Sequence, residues 1–218
     1  MTRVSFHDEL RQLQEAIAAL AVSVREVIFR AVQALEHTDG EAGERIIAGD
    51  DVIDQRVGEL EEECYKLLVL HQPMARDLRT IGAALHILID LERMADHGVD
   101  IARTAVRLRG EKLIKPLIDI PRMAALGQEM ISRALDAYVQ GDAAKAETLV
   151  TLDDAVDKLY AQVFRELLLI MMQDPHAINQ GTQLLFVASH LERIADHTTN
   201  LAEAVLYAVK GERRALND

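Results

Sequence analysis

The chain has 218 residues, 36 acidic against 24 basic side chains, a net charge of −12 and a single cysteine, Cys64. So acidic a surface argues against nucleic acid as a partner, and one cysteine excludes an internal disulfide framework and suits a reducing compartment. No apolar run approaches the roughly 20 residues of a membrane span, and the start, Met1 to Glu9, lacks the apolar centre of a signal peptide, so a cytoplasmic location is expected. Half the residues are hydrophobic but only 4% are aromatic, and there are 4 prolines. That balance predicts an all-α protein with aliphatic cores.

In chain order, Leu10, Leu13, Ile17, Leu20, Val24, Ile28, Ala31 and Leu35 recur at helical spacing and predict a first helix from Ser5 to about His37, ended by Asp39-Gly40. A second is predicted from about Glu41 to His71, through Ile46, Ile53, Val57, Leu60, Cys64 and Leu67, and Pro73 opens a new segment. The third runs from about Met74 to Arg109. Glu111 to Pro121, with two prolines and weak periodicity, is the only candidate linker. Three more helices follow, from about Arg122 to Gln140, Ala143 to Gln173 and Ala177 to Lys210. The expected architecture is therefore two tandem three-helix bundles related by an internal repeat: 1–110, a linker 111–121, and 122–218. The bundles are expected to be separate units with mostly local contacts.

The repeat is plainest in Leu91-Glu92-Arg93-Met94-Ala95-Asp96-His97, which returns as Leu191-Glu192-Arg193-Ile194-Ala195-Asp196-His197. Glu and Asp at this spacing share one face of a helix. Glu92 falls in an apolar seam of Leu85, Leu88, Ala95, Val99, Ala102 and Val106, and Glu192 in its counterpart of Leu185, Ala188, Ala195, Ala202 and Leu206. The second helix of each half matches too: Asp50 and Asp54 interrupt one apolar row, Asp153 and Asp157 the other. A carboxylate in a core-facing row is costly unless it is paired, protonated or metal-bound. Four such acids converging from two packed helices predict a multivalent cation of the hard or borderline kind, such as magnesium, calcium, manganese or iron. The candidate ligands are Asp50, Asp54, Glu92 and Asp96 in the first half, with Asp100 extending the row, and Asp153, Asp157, Glu192 and Asp196 in the second. Asn200 replaces Asp100's counterpart, so the second site carries less charge. His97 and His197 lie on the outer side of the heptad and are assigned an outer, supporting or surface position. His190 and the other histidines have no matched partners and are read as surface or satisfied helix residues, and Met171 and Met172 as core filler. The competing explanation is compositional: among 36 acidic residues, pairs on solvated helix faces arise by chance.

Catalytic signatures are missing: there is no Gly-rich phosphate loop and no nucleophile elbow. A ferritin-like di-iron site needs Glu-x-x-His, whereas Glu92 and His97 are five apart. The alternative function is nonetheless a metal-dependent helical-bundle enzyme using iron or manganese.

Taken together, the doubled Leu-Glu-Arg-(Met/Ile)-Ala-Asp-His, the run Gln72-Pro73-Met74-Ala75-Arg76-Asp77-Leu78-Arg79 and the early Phe6-His7-Asp8-Glu9-Leu10 resemble the PhoU family of phosphate-signalling regulators over essentially the whole length. The resemblance implies two three-helix bundles with metal clusters (iron, manganese, magnesium or zinc) on the paired acid-x-x-x-Asp motifs. It also implies a non-enzymatic cytoplasmic negative regulator of the phosphate-starvation regulon, often a homodimer. Such a regulator bridges the ATPase subunit of the phosphate ABC transporter and a sensor histidine kinase. The second half has Asn179-Gln180-Gly181 where the first has Asp77-Leu78-Arg79, so the two halves are not expected to present the same partner surface.

Overall fold

The computed structural model describes residues 3–216, with helices α1 (Arg3–Glu36), α2 (Gly40–Ile47), α3 (Asp50–His71), α4 (Arg76–Arg107), α5 (Asp119–Gln140), α6 (Ala143–Glu147), α7 (Leu149–Gln173) and α8 (Ile178–Lys210). Among the described residues there is no strand, and no helix is long and apolar enough to cross a membrane. The fold is all-α and contains two three-helix bundles, as the periodicity predicts. The apolar stripes from Leu10 to Leu35, from Ile46 to Leu67 and from Leu149 to Leu167 are buried on their bundle-facing sides.

Three helix boundaries depart from expectation. The second helix of each half is broken: α2 stops before Ala48-Gly49, and α6 stops at Thr148. The short leading helices are capped in matching ways, since Asp39 Oδ1 accepts from Ala42 N at 2.9 Å and Asp142 Oδ1 accepts from Ala144 N at 3.0 Å and Lys145 N at 3.1 Å. Asp39 thus starts α2 rather than ending α1. α5 begins at Asp119, earlier than predicted. Ile120 joins the core, and Pro121 is tolerated because first-turn N–H groups have no helical partner anyway. At the other end of α5, Gly141 supplies the left-handed residue that ends the helix, with φ of 63°.

α4 and α8 form the centre and run antiparallel. Arg79 Nε reaches Ala208 O at 3.4 Å, His97 meets His190, and Arg107 Nη1 donates to Gln183 Oε1 at 3.0 Å. α1 lies against α5, where Gln14 Nε2 donates to Tyr138 O at 3.4 Å. One continuous hydrophobic cluster runs from Phe6 to Ala208 through both halves, in place of the mostly local contacts expected. The segment between α4 and α5 is fastened by the buried Gln180: its Oε1 accepts from Ile114 N at 2.5 Å, and its Nε2 donates to Glu111 at 3.0 Å and to Lys112 O at 3.2 Å.

Candidate metal centre

Asp50 and Asp51 stand in the first turn of α3, where the positive end of the helix dipole favours carboxylates. Asp54 follows one turn later. Glu92 and Asp96 project from the middle of α4, and the buried Ile53 and Val57 of α3 and Leu88, Leu91 and Ala95 of α4 hold the two helices in register beneath the acids. Asp50, Asp54 and Asp96 each bring an oxygen within 4.8 Å of the others. Asp54 is exposed, whereas Asp50, Glu92 and Asp96 are half-buried. Burial raises the pKa of Asp50, Glu92 and Asp96 above the ordinary carboxylate range, and the Asp54 charge raises all three further. Arg93, 3.7 Å from Asp96, opposes this at Glu92 and Asp96, and Arg103 opposes it at Asp50. Asp50 Oδ1 is buried and makes no hydrogen bond among the described residues, the position of an oxygen awaiting a cation. An all-oxygen donor set of this charge suits hard or borderline ions, so the residues present fit a bound metal.

The second half repeats the layout with looser closure. Asp153 is buried on α7, Glu192 is half-buried on α8, and Asp157 and Asp196 are exposed. Burial raises the pKa of Glu192, with Asp196 and Asp157 adding to it, and burial with Asp157 raises that of Asp196. Among the described residues, no trio of these acids closes to within 4.8 Å.

The histidines of the motif are not on a solvent face. The outer side of each bundle is the seam against the other bundle, so His97 and His197 are half-buried between α4 and α8. His197 Nδ1 lies 2.9 Å from Asp90 Oδ1, which also accepts from Asn200 Nδ2 at 3.3 Å. His97 Nδ1 lies 3.2 Å from His190 Nδ1, and the His190 nitrogen is 3.9 Å from Asp100 Oδ2. Asp100 Oδ1 accepts from Arg103 Nη1 at 2.6 Å. Burial, with His190 and His197 alongside, pushes the His97 pKa down to about 4, and burial lowers that of His190. Asp100 therefore stands with His97 and His190, all three within 4.8 Å of one another.

Spacing gives Asp90 no role and makes His190 a surface or satisfied helix residue, whereas both stand in the seam. The signal is a second apolar stripe on α4, Ala83, Ile87, Met94 and Ile101, all buried, with Asp90, His97 and Thr104 as its polar members. On α8 the corresponding stripe is Val187, Ile194 and Leu201, with His190 and His197. A helix with two apolar stripes packs against two neighbours. Elsewhere, His71 is satisfied as expected, 3.1 Å from Glu9, whereas Met172 is 74% exposed and not core, because its side of α7 faces no other helix.

The PhoU domain family matches residues 11–105 and 120–205, one copy on each bundle. The phosphate-specific transport system accessory protein PhoU homolog of Clostridium acetobutylicum is 41% identical over 219 residues, covering both chains in full. Its namesake in Aquifex aeolicus is 39% identical over 94% of this chain and 92% of that one. The crystal structure of PhoU from Pseudomonas aeruginosa superposes with a TM-score of 0.89 at 34% identity, covering 95% of this chain and 100% of the other. With two matched domains, full-length relatives and a shared architecture, the chain belongs to the PhoU domain family.

Proposed function

We propose that this protein is a non-enzymatic cytoplasmic regulator that links phosphate uptake to gene control. Its relatives are named as accessory proteins of phosphate-specific transport, which supports a regulatory role in that system. The proposed partners are the ATPase subunit of a phosphate ABC transporter and a sensor histidine kinase. The direction is repression of the starvation response when phosphate is plentiful, and the working form is a homodimer. The division into repeats 1–110 and 122–218, joined by 111–121, is part of the same proposal.

The observation that carries the metal side of the proposal is the convergence of Asp50, Asp54 and Asp96 within 4.8 Å, with Asp50 Oδ1 buried and unbonded among the described residues. Asp50, Asp54, Glu92 and Asp96 would hold the ion or ions of the first bundle, and Asp153, Asp157, Glu192 and Asp196 those of the second. A bound cation would supply positive charge to offset the mutual repulsion of these acids. With that repulsion removed, α3 and α4, and likewise α7 and α8, hold a fixed spacing, so their outer faces keep one shape for a partner.

The test is deletion of the gene in a strain carrying a reporter of starvation genes, with affinity capture of the tagged protein from phosphate-replete cells. Reporter activity in rich phosphate, together with recovery of the transporter ATPase or the kinase, is expected. Normal repression with neither protein recovered would overturn the reading.

A further inference from the structure

We propose that the seam between the two repeats carries a separate transition-metal site formed by His97 and Asp100 of α4 and His190 of α8. Two imidazole nitrogens, the Nδ1 atoms of His97 and His190, share a hydrogen bond at 3.2 Å that a bound ion would replace. Two nitrogens bound to one tetrahedral ion at about 2.0–2.1 Å each stand roughly 3.3–3.4 Å apart, so the rings at 3.2 Å need to part by only about 0.1–0.2 Å. The third donor, Asp100 Oδ2, lies 3.9 Å from the His190 nitrogen and has to close by about half an ångström to complete a tetrahedral edge. Its other oxygen is held by Arg103 at 2.6 Å, an outer hydrogen bond of the kind that orients a ligating carboxylate. The side chains of His190 and Asp100 are 21% and 35% exposed, which leaves an entry path for an ion and for water at the remaining position.

The sister seat across the seam is an internal control. Positions 90, 97 and 100 correspond to 190, 197 and 200, one hundred residues on. There His197 meets Asp90 at 2.9 Å and Asn200 binds the same carboxylate, so the donors satisfy one another and the seat is closed. In the first seat, His190 replaces the acid and Asp100 replaces the amide. Two ring nitrogens then share one gap with a carboxylate beside it. A nitrogen-rich set of two imidazoles and one carboxylate selects borderline ions such as zinc, cobalt or nickel. It differs in kind from the all-oxygen acid sites.

The test uses the metal-stripped full chain in excess Mg²⁺, which occupies the acid sites, and titrates Co²⁺ as a spectroscopic substitute for zinc. A single Co²⁺ per chain with the strong visible absorption of a four-coordinate ion is expected. His190→Gln and Asp100→Asn should each weaken it by about tenfold or more, while Asp90→Asn, in the sister seat, leaves it unchanged. Circular dichroism of each variant checks that it is folded, and Mn²⁺ loading without Mg²⁺ reports the acid sites separately and should survive His190→Gln. No Co²⁺ bound by the wild type in Mg²⁺, or an unaltered spectrum in folded His190→Gln, overturns the proposal whatever the acid sites do.

Discussion

The two acid sites of this protein are copies in sequence and unequal in structure. In the first, Asp50, Asp54 and Asp96 draw to within 4.8 Å; in the second, the same helix positions hold Asp153, Asp157 and Asp196 further apart. The difference lies in how the helices enter. α3 starts at Asp50 itself, after the Ala48-Gly49 break, so its first carboxylate sits at the helix end. α7 starts at Leu149, a full turn before Asp153, which places that acid inside the helix and against the core. A repeated motif fixes which residues face each other, while the local start of the helix sets how tightly they converge.

The largest effect concerns whether the halves can be treated apart at all. Leu91, fully buried at the centre of the shared core, should cost about 2–5 kcal/mol when changed to Ala. Because one core spans both bundles, chemical denaturation should show a single transition shifted as a whole. Two transitions, with only the first displaced, would restore independent bundles.

Next comes metal. At about a hundredfold excess over its dissociation constant, an ion bound only by the native state adds about 2.7 kcal/mol, so melting should rise with Mn²⁺ or iron and fall with chelator. The combined change of Asp50, Asp54, Glu92 and Asp96 to their amides should remove more of this gain than the matching change of Asp153, Asp157, Glu192 and Asp196. Equal losses from the two sets would erase the inequality between the sites, and a wild-type melt indifferent to every metal would sink the cation reading.

The caps of the short leading helices give a smaller contrast. Asp39→Ala and Asp142→Ala each remove a side-chain acceptor from backbone N–H groups, worth about 1 kcal/mol. Asp142 serves two N–H groups and Asp39 one, so thermal melts should rank Asp142→Ala as the more harmful. The reverse order would show that α2, not α6, is the more dependent on its cap.

The smallest effect is pH dependence of the metal-free protein. Asp50, Glu92 and Asp96 have folded pKa values raised above those of the unfolded chain, so their contribution is fully present below the unfolded carboxylate values and is lost as pH rises through the raised ones. His97, lowered to about 4, acts oppositely: its contribution is present above pH 6.5 and lost as pH falls toward 4. Melts of wild type minus the first-site amide variant isolate the acids. The difference should favour wild type increasingly as pH drops from 7 into the acid range, and a flat difference would mean the acids are solvated.

Much of this was readable from residues alone. The acid rows, the helix order and the doubled motif all follow from spacing, because a buried stripe demands regular apolar positions. The break after α2 was hidden because Ile46 and Ile53 stay in phase across Gly49, so the stripe continues where the helix does not. The seam is hidden for a different reason: one stripe of α4 is regular and apolar, and the side opposite reads as solvent-facing. Ala83, Ile87, Met94 and Ile101 were there to say otherwise, but Asp90 and His97 interrupt them. Whether two carboxylates end up close or apart depends on helix starts of one turn, which composition and periodicity do not encode.

The antiparallel crossing of α4 and α8 has a consequence for symmetry. His97 meets His190 and Asp90 meets His197, and each pairing is the other shifted by one repeat, the pattern of an isologous contact between identical partners. A lone repeat would need a second copy of itself to cover its second apolar stripe. Carrying two copies in one chain makes that contact interior and its formation independent of concentration. It also frees the two copies from identity, since a substitution need not be tolerated twice across the same axis. His190 at the position equivalent to Asp90, Asn200 at the position equivalent to Asp100, and the Gln180 clasp on the segment that joins the copies are where the two copies differ.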